Sequence, residues 1–198
     1  GFPFRKYALM PPPQVAKRDV YGVFAGVIET DSVQRIVAQL TKLTHPGAMV
    51  DCIHFMLHSP GGQVPDGIAL HNFFRNFTLK LILYNGGNVS SAAVIAFLGA
   101  KERRASVYAM FGIHRCSLEL EHGYPATDLQ HLVNTMLAED ERTEAIFRRA
   151  GLKLTDAQWA DFANNKDLMF TAKDVVEMGF VQEIAEFSPP AGTVLFTV

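Results

Sequence analysis

Short apolar runs and helical apolar patterns alternate along most of the chain. The apolar runs are rich in branched and aromatic residues, whereas the segments between them repeat apolar positions at helical spacing. Strands are predicted at residues 21–28, 52–57, 79–84 and 104–113, helices at 33–40, 66–77 and 90–98, and turns at 59–63 and 86–88. Alternating β and α units of this size predict an α/β fold with a largely parallel sheet and right-handed crossovers.

The second half of the chain carries one unusually long helical pattern. It covers residues 126–150, with Thr127 and Asp128 as capping residues and Gly151 at its end. Such a helix is about 36 Å long at 1.5 Å per residue, more than the core of a small domain needs. Periodicity alone leaves two interpretations open, an arm that packs against a partner and an ordinary surface helix. A second, small helix is predicted at residues 172–178.

Length and composition predict one compact domain behind an N-terminal arm. The chain has 198 residues, 48% of them hydrophobic, which is enough to bury about 70% of the unfolded surface in a single domain. Residues 10–13 are Met-Pro-Pro-Pro between basic side chains, a composition that favours extended chain. We therefore assign residues 1–20 to an arm and residues 21–198 to the domain.

Charge and cysteine content argue against several classes of protein. Eighteen basic and twenty acidic residues give a net charge of −2, so no general field attracts nucleic acid or an anionic membrane. The two cysteines, Cys52 and Cys116, do not suggest a disulfide scaffold, and a reducing cytoplasm is the simplest location. We find no signal-peptide pattern and no apolar stretch long enough to span a membrane. No phosphate-binding loop occurs, so any use of ATP would belong to a separate protein.

Four local features could together perform serine chemistry, which needs a nucleophile, a base, an orienting acid and oxyanion-binding amides. Ser91 follows glycines 86–87 at a strand-to-helix junction, and His114 ends a strand-like run. Asp167 lies in the loop before the small helix, and glycines 61–62 form a bend whose amides no side chain shields. Each also has an ordinary interpretation: a serine or an aspartate that caps a helix, and a structural histidine.

At these positions the sequence resembles the proteolytic subunit of the ATP-dependent Clp protease (ClpP). That family carries, in order, a Ser-Pro-Gly-Gly bend, a Gly-x-Ala-Ala-Ser turn with the nucleophile, a histidine that ends a strand, an Asp-x-x-x-Ser/Thr-Ala loop and a helix that ends in Gly. The matching segments here follow the same order and are residues 59–62, 87–91, 111–114, 167–172 and 179–181. The resemblance extends from about Tyr21 to Ile184.

The resemblance implies a serine endopeptidase of the ClpP/crotonase-like fold, built from repeated β-β-α units with a projecting handle helix at about 126–150. It implies Ser91 as nucleophile, His114 as general base and Asp167 as the acid that orients the histidine. The other site residues that it implies are Gly62 and Ala92 for the oxyanion hole, and Gly61, Gln63 and Val64 for substrate binding.

The resemblance also implies an assembly and its partners. Family members form a homo-oligomer of two heptameric rings, a tetradecamer, whose chamber hydrolyses peptides or unfolded proteins supplied by an AAA+ unfoldase. The subunit itself needs no cofactor and no metal. Three features depart from the family: Ala92 replaces the usual methionine, His-Arg-Cys at 114–116 replaces His-Gln-Pro, and the proline-rich start does not match the axial-loop segment. These departures affect partners more than chemistry.

Several alternatives remain open at the level of sequence. A crotonase-like enzyme would use the paired amides on an acyl-CoA thioester, and a catalytically silent ring subunit would keep the fold without turnover. A free-standing peptidase would cleave short peptides or mature a phage or membrane protein. Cys116 is a candidate thiol nucleophile, and Ser90 is a second hydroxyl beside Ser91. His54 and His58 lie in a strand-like run without an acidic partner to complete a zinc site, so no metal is predicted.

Overall fold

The computed structural model describes residues 18–120 and 123–198. Its strands are β1 (Arg18–Ala25), β2 (Val50–Ser59), β3 (Lys80–Ser90), β4 (Glu102–Ala105), β5 (Met110–Ile113), β6 (Leu168–Thr171), β7 (Glu183–Ile184) and β8 (Phe196–Thr197). Its helices are α1 (Thr30–Leu43), α2 (Val64–Arg75), α3 (Ala92–Phe97), α4 (Ala126–Arg149), α5 (Asp156–Ala163) and α6 (Ala172–Val175), with a 3-10 turn at Pro46–Ala48.

One mostly parallel sheet organises the described chain. Its strand order is β6-β5-β3-β2-β1-β8, and β4 pairs with both β3 and β7. Only the pair β5–β6 is antiparallel among these pairs. Strand β3 pairs with β2 on one side, and on its other side with β4 near its start and with β5 near its end. The prediction of an α/β fold with a largely parallel sheet is confirmed.

Two predicted local features are wrong. Residues 86–88, predicted as a turn, lie inside β3, where Asn85 Oδ1 accepts a hydrogen bond from the Gly87 amide at 3.0 Å. The side chain of Met56 occupies the space beside Gly86, so the glycine allows close packing between strands rather than a reversal. The predicted strand 104–113 is two strands, β4 and β5, because the chain turns between them with the Ala109 amide bonded to the Ser106 carbonyl at 3.1 Å.

The first strand is shifted relative to its prediction. Residues 18–20, assigned to the arm from composition, are the start of β1 and pair in parallel with β2. Strand β1 ends at Ala25, and Ile28, predicted as its last residue, instead forms an isolated bridge with Gly62. The rest of the predicted arm, residues 1–17, lies outside the described residues.

Helix α4 is continuous over Ala126–Arg149, as its apolar pattern predicts. Its second half contributes Phe147 to the core. Its first half leaves large apolar side chains exposed, and these are Leu129, Val133 and Leu137, at 36%, 47% and 54% exposure. The helix therefore extends beyond the core that its second half covers. Within the described residues, no helix has both the length and the apolar character that crossing a bilayer requires.

Helices α2 and α3 pack closely behind the end of β3. The buried His71 of α2 has its Nδ1 2.9 Å from the Ile95 carbonyl oxygen of α3. Burial lowers the pKa of His71, and three nearby arginines act in the same direction, whereas the bond to Ile95 opposes the change. The folded chain therefore keeps this imidazole neutral to lower pH than the unfolded chain does.

We expect His71 to make the fold less stable in mild acid. Because its folded pKa lies below the unfolded value of about 6.5, only the unfolded state gains a proton as the pH falls through that value. The free energy of unfolding should therefore be highest above that pH and decrease between pH 7 and pH 5. Urea unfolding of the wild type and of His71→Asn, whose Nδ2 takes the position of His71 Nδ1 and can still donate to Ile95, measures this. An equal decrease in both proteins would contradict the expectation.

Candidate active site

Ser91 occupies the sharp turn between β3 and α3. Its backbone has φ 56° and ψ −129°, a conformation that residues with a side chain rarely adopt. Its amide donates to the Gly112 carbonyl of β5 at 2.8 Å, which ties the turn to the neighbouring strand. Strained backbone of this kind persists only where the surroundings maintain it, and it is concentrated at functional sites. The partly buried serine is thus the leading candidate for a reacting group.

The Ser-Pro-Gly-Gly bend lies directly against this serine. A β-carbon added to Gly61 would lie 2.6 Å from Ser91 Cβ and 3.1 Å from Ser91 Oγ. The backbone of Gly61 has φ 110°, and its amide is fixed by a 3.1 Å hydrogen bond to Ser59 Oγ. Only glycine suits this position, because both the conformation and the contact exclude a side chain. The bend and the strained turn therefore form one wall around the hydroxyl.

The two amides predicted for an oxyanion hole belong to these adjoining segments. The bridge to Ile28 uses the Gly61 carbonyl, at 2.7 Å, and the Gln63 amide, at 2.8 Å. The Gly62 amide lies between these two bonded groups and is not part of the bridge. Ala92 is the first residue of α3, so its amide has no acceptor within the helix. The predicted substrate-binding residues Gln63 and Val64 continue from the bend into α2. All of these roles stay predictions.

His114 follows β5 immediately, and its ring is oriented by the backbone. Its Nδ1 atom lies 2.7 Å from the carbonyl oxygen of the next residue, Arg115. A carbonyl oxygen can only accept a hydrogen bond, so Nδ1 carries the proton and, in the neutral ring, Nε2 carries the lone pair. This is the tautomer that a histidine base needs if its Nε2 is to take a proton from serine.

Asp167 lies beside His114 at the same end of the β5–β6 ladder. Strands β5 and β6 are antiparallel and pair Ile113 with Leu168, so the residue after β5 and the residue before β6 are neighbours. His114 and the exposed Asp167 both line an open cleft of about 580 Å³. Sequence analysis predicted both residues, and the sheet register brings them to one cleft.

The three predicted triad residues flank neighbouring strands and are not hydrogen-bonded to one another. In the part of the chain that the structure describes, no hydrogen bond joins Ser91 to His114 or His114 to Asp167. Ser91 and His114 nevertheless follow adjacent strands, because Ser90 of β3 pairs with Gly112 of β5. The fold therefore brings the three residues to the same end of strands β3, β5 and β6. There His114 Nδ1 is bonded to the Arg115 carbonyl and not to Asp167.

Ser90 differs from Ser91 in having a bonded hydroxyl. Its Oγ donates to Asn88 Oδ1 at 2.9 Å, and its backbone lies within β3. The hydroxyl also lies against Gly112, where an added β-carbon would be 2.7 Å away. Ser90 thus packs between strands, which favours Ser91 as the reacting serine.

Cys116 has the environment of a protonated thiol. Burial raises its pKa to about 12, and the effect is increased by a 3.3 Å hydrogen bond to Glu139 and by the charges of Glu139 and Asp140. Cysteine nucleophiles react as thiolates, which lowered rather than raised pKa values supply. This environment argues against the thiol alternative.

We expect Cys116→Ser to retain peptide hydrolysis within about threefold of the wild type. A serine hydroxyl can still donate to Glu139, and the proposed chemistry does not use the thiol. Steady-state rates on a fluorogenic peptide measure the effect. A loss of activity comparable to that of an active-site knockout would instead support a thiol nucleophile.

Among residues 18–120 and 123–198, one group of side chains that could bind a metal ion lies close together, away from Ser91. The donor atoms of Asp19, Cys52 and His54 lie within 4.8 Å of one another. The prediction that His54 lacks an acidic partner is therefore wrong, since its Nε2 is 3.1 Å from Asp19 and its Nδ1 is 2.9 Å from the Tyr84 hydroxyl. Burial raises the pKa of Cys52 to about 11, so this thiol is protonated at neutral pH. Asp19, His54 and Tyr84 form a hydrogen-bonded network, and the absence of a metal stays a prediction.

The predicted site residues omit a buried carboxylate that binds the segment after His114, Asp140 of α4, which is only 7% exposed. A signal was present, because Asp140 and Thr143 precede Phe147 at helical spacing on the buried side of α4. An acidic residue on the core-facing side of a helix needs a buried partner. Here the partner comes from the segment that follows His114.

These features define the class of the chain: an α/β protein with a strained serine turn, a glycine bend against it, and a histidine and an aspartate at the same sheet edge. A mutant of ClpP1 from Listeria monocytogenes has the same fold, with a TM-score of 0.69 and 20% identity over 84% of this chain and 91% of that one. The family model for Clp protease matches residues 16–188. The chain belongs to the Clp protease family.

Curated relatives agree with this assignment. The chain is 28% identical over 174 residues to the ATP-dependent Clp protease proteolytic subunit 2 of Treponema denticola, which covers 83% of this chain and 80% of the relative. It is 26% identical over 161 residues to the proteolytic subunit 3 of Rhizobium meliloti, with 80% of each chain covered. Family membership supports a peptidase, while the roles of individual residues rest on the geometry above.

Proposed function

We propose that the chain is a serine endopeptidase in which Ser91 attacks the peptide carbonyl. The observation that carries this proposal is the strained backbone of Ser91, held against the Gly61 bend. A serine that only capped α3 would have no need of positive φ, and its Oγ makes no capping hydrogen bond. The turn instead places the hydroxyl against the glycine bend, and in the part of the chain that the structure describes the amides of Gly62 and Ala92 have no hydrogen-bond acceptor.

The proposed reaction follows from the roles available to each group. Nε2 of His114 takes the Ser91 proton as Oγ attacks, and the amides of Gly62 and Ala92 stabilise the oxyanion. The imidazolium then gives its proton to the leaving amine, the C–N bond breaks, and the acyl group remains on Ser91 Oγ as an acyl-enzyme. Water, deprotonated by the same nitrogen, hydrolyses the ester. Asp167 lines the same cleft as His114, and its carboxylate stabilises the positive charge of the imidazolium.

The chemistry requires Ser91 Oγ and His114 Nε2 to approach each other from the arrangement described, in which no hydrogen bond joins them. His114 is bonded to the Arg115 carbonyl, which already fixes the tautomer that the reaction uses. A productive encounter needs Nε2 within about 3 Å of Ser91 Oγ, and catalytic hydrogen bonds often tighten only when substrate binds. Substrate residues that extend along Gln63 and Val64 would provide that binding energy.

We further propose that the active form is an assembly of paired heptameric rings that admits peptides and unfolded proteins. The exposed apolar side chains Leu129, Val133 and Leu137 on the first half of α4 support this, since an apolar stripe of this kind needs a covering surface. The curated relatives are named as proteolytic subunits of an ATP-dependent Clp protease. An AAA+ unfoldase is accordingly the partner that we propose for delivery of folded substrates.

A catalytically silent ring subunit is the second candidate function. The absence of a hydrogen bond between Ser91 and His114 among the described residues favours it, because a silent subunit needs the fold and not the contact. An acyl-CoA enzyme of the crotonase type has no comparable support, since it would not need His114 and Asp167 in one cleft.

The test is hydrolysis of fluorogenic peptides by the purified full chain, with sedimentation to determine its mass. We expect peptide turnover by a species many times heavier than the 21.9 kDa chain, and rapid degradation of an unfolded protein but not of its stable folded form. Turnover absent from an assembled species would support the silent subunit. A monomer that cleaves folded protein freely would contradict the chamber.

A further inference from the structure

We propose that Asp140 of α4 is a positioning residue that holds the segment 114–116 and thereby sets the orientation of His114. This inference rests on the proposed peptidase function, since it assigns Asp140 a role in that reaction. Asp140 does not line the cleft shared by His114 and Asp167. It acts through the side chain of Arg115 and the backbone amide of Cys116.

Both carboxylate oxygens of Asp140 bind the segment after His114. Oδ2 accepts from Arg115 Nε at 2.8 Å, and Oδ1 accepts from the Cys116 backbone amide at 2.6 Å. The Asp140 side chain is only 9% exposed, and that of Arg115 is 24% exposed. Ion pairs that are shielded in this way are screened little by salt, and their geometry is fixed by the second hydrogen bond. The carboxylate therefore fastens two consecutive residues to the helix.

The same segment makes the contact that orients the base. The Arg115 carbonyl oxygen lies 2.7 Å from His114 Nδ1, and Arg115 Nη1 donates to the Ala163 carbonyl at 3.2 Å. Arg115 is thus bound from α4 and from the end of α5, and its carbonyl belongs to the same rigid peptide unit as the Cys116 amide that Asp140 binds. If the segment moves, the carbonyl and the imidazole move with it.

Replacing the carboxylate separates the two contributions of Asp140. Asparagine keeps an oxygen for the Cys116 amide but loses the charge that balances Arg115, whereas alanine loses both and leaves a poorly exposed guanidinium without its anion. Glu144 is a matched control, because it lies one turn further along α4 and pairs with Arg148 on the exposed surface at 2.8 Å. Glu144→Gln removes a charge from the same helix and leaves segment 114–116 untouched.

The experiment measures peptide hydrolysis by the assembled wild type, Asp140→Asn, Asp140→Ala and Glu144→Gln. Each rate is divided by the number of Ser91 sites that a fluorophosphonate labels when the labelling reaction is taken to completion. We expect kcat per labelled site to fall about 10²-fold in Asp140→Ala, the loss typical of a group displaced by about 1 Å. The fall should be smaller in Asp140→Asn and absent in Glu144→Gln, with KM within twofold throughout.

The outcomes separate this inference from the function on which it rests. A wild type that neither hydrolyses peptide nor labels at Ser91 overturns the proposed function itself. An active wild type, with wild-type kcat per labelled site in both Asp140 variants, overturns only the positioning role. A purely structural role would lower the yield of labelled sites and leave their kcat unchanged, which also counts against the proposal. If Asp140→Ala does not fold, the comparison of Asp140→Asn with Glu144→Gln decides.

Discussion

Replacing Ser91 by alanine is expected to reduce kcat for peptide hydrolysis by about 10⁶-fold, the scale on which other serine peptidases lose activity without their nucleophile. The serine is the only group in the proposed mechanism that forms a bond to the substrate. Only the activity that the oxyanion-binding amides support on their own would remain. Turnover of a fluorogenic peptide, followed at high enzyme concentration, measures this loss.

Ser90→Ala is the matched control for this prediction. Ser90 also carries a hydroxyl one residue away, but its Oγ is bonded to Asn88. We expect activity within a few-fold of the wild type, because only a hydrogen bond between neighbouring side chains is lost. The assignment would be reversed if Ser90→Ala were inactive while Ser91→Ala retained turnover.

Gly61→Ala is expected to lower kcat by about 10²-fold or more and also to destabilise the fold. The new methyl group would lie 2.6 Å from Ser91 Cβ and 2.8 Å from the Ser90 carbonyl oxygen, and both are held by the strained turn. A displacement of about 1 Å at the nucleophile is enough for such a rate loss. The positive φ of Gly61 lies in a sparsely populated region and adds about 1–3 kcal/mol of backbone strain in a residue with a side chain.

A second glycine separates local crowding from a general effect of adding a methyl group. Among the described residues other than its chain neighbours, no atom lies within 4 Å of the β-carbon position of Gly123, and its φ is not in the positive range. Gly123→Ala should therefore keep both kcat and thermal stability. If Gly61→Ala were equally harmless, the bend would not lie against the nucleophile in the way described.

The periodicity of apolar residues predicted the architecture well where a single helix or strand is long enough to repeat its pattern. The α/β fold and the full length of α4 follow from apolar spacing, because a helix of that length repeats its pattern many times. The glycines at 86–87 suggest a turn, but residues 86–88 lie inside β3, where Gly86 makes room for the side chain of Met56. Local composition cannot distinguish these two uses, since the deciding contact comes from another strand.

The site was predictable as a set of motifs and not as a geometry. The family motifs named Ser91, His114 and Asp167, and the sheet explains their proximity, because β3, β5 and β6 are neighbours. The bond from His114 to the Arg115 carbonyl and the role of Asp140 were not predictable, since both depend on how α4 meets the loop after β5. Sequence marks Asp140 only as an acid on a buried helix face.

Labelling of the intact protein with a fluorophosphonate, with the adduct located by mass spectrometry and Ser91→Ala labelled beside it, tests the central claim most directly. The account predicts one adduct, on Ser91, that is absent from the alanine variant. An adduct on another residue, or none in the fully assembled wild type, would contradict Ser91 as the activated nucleophile.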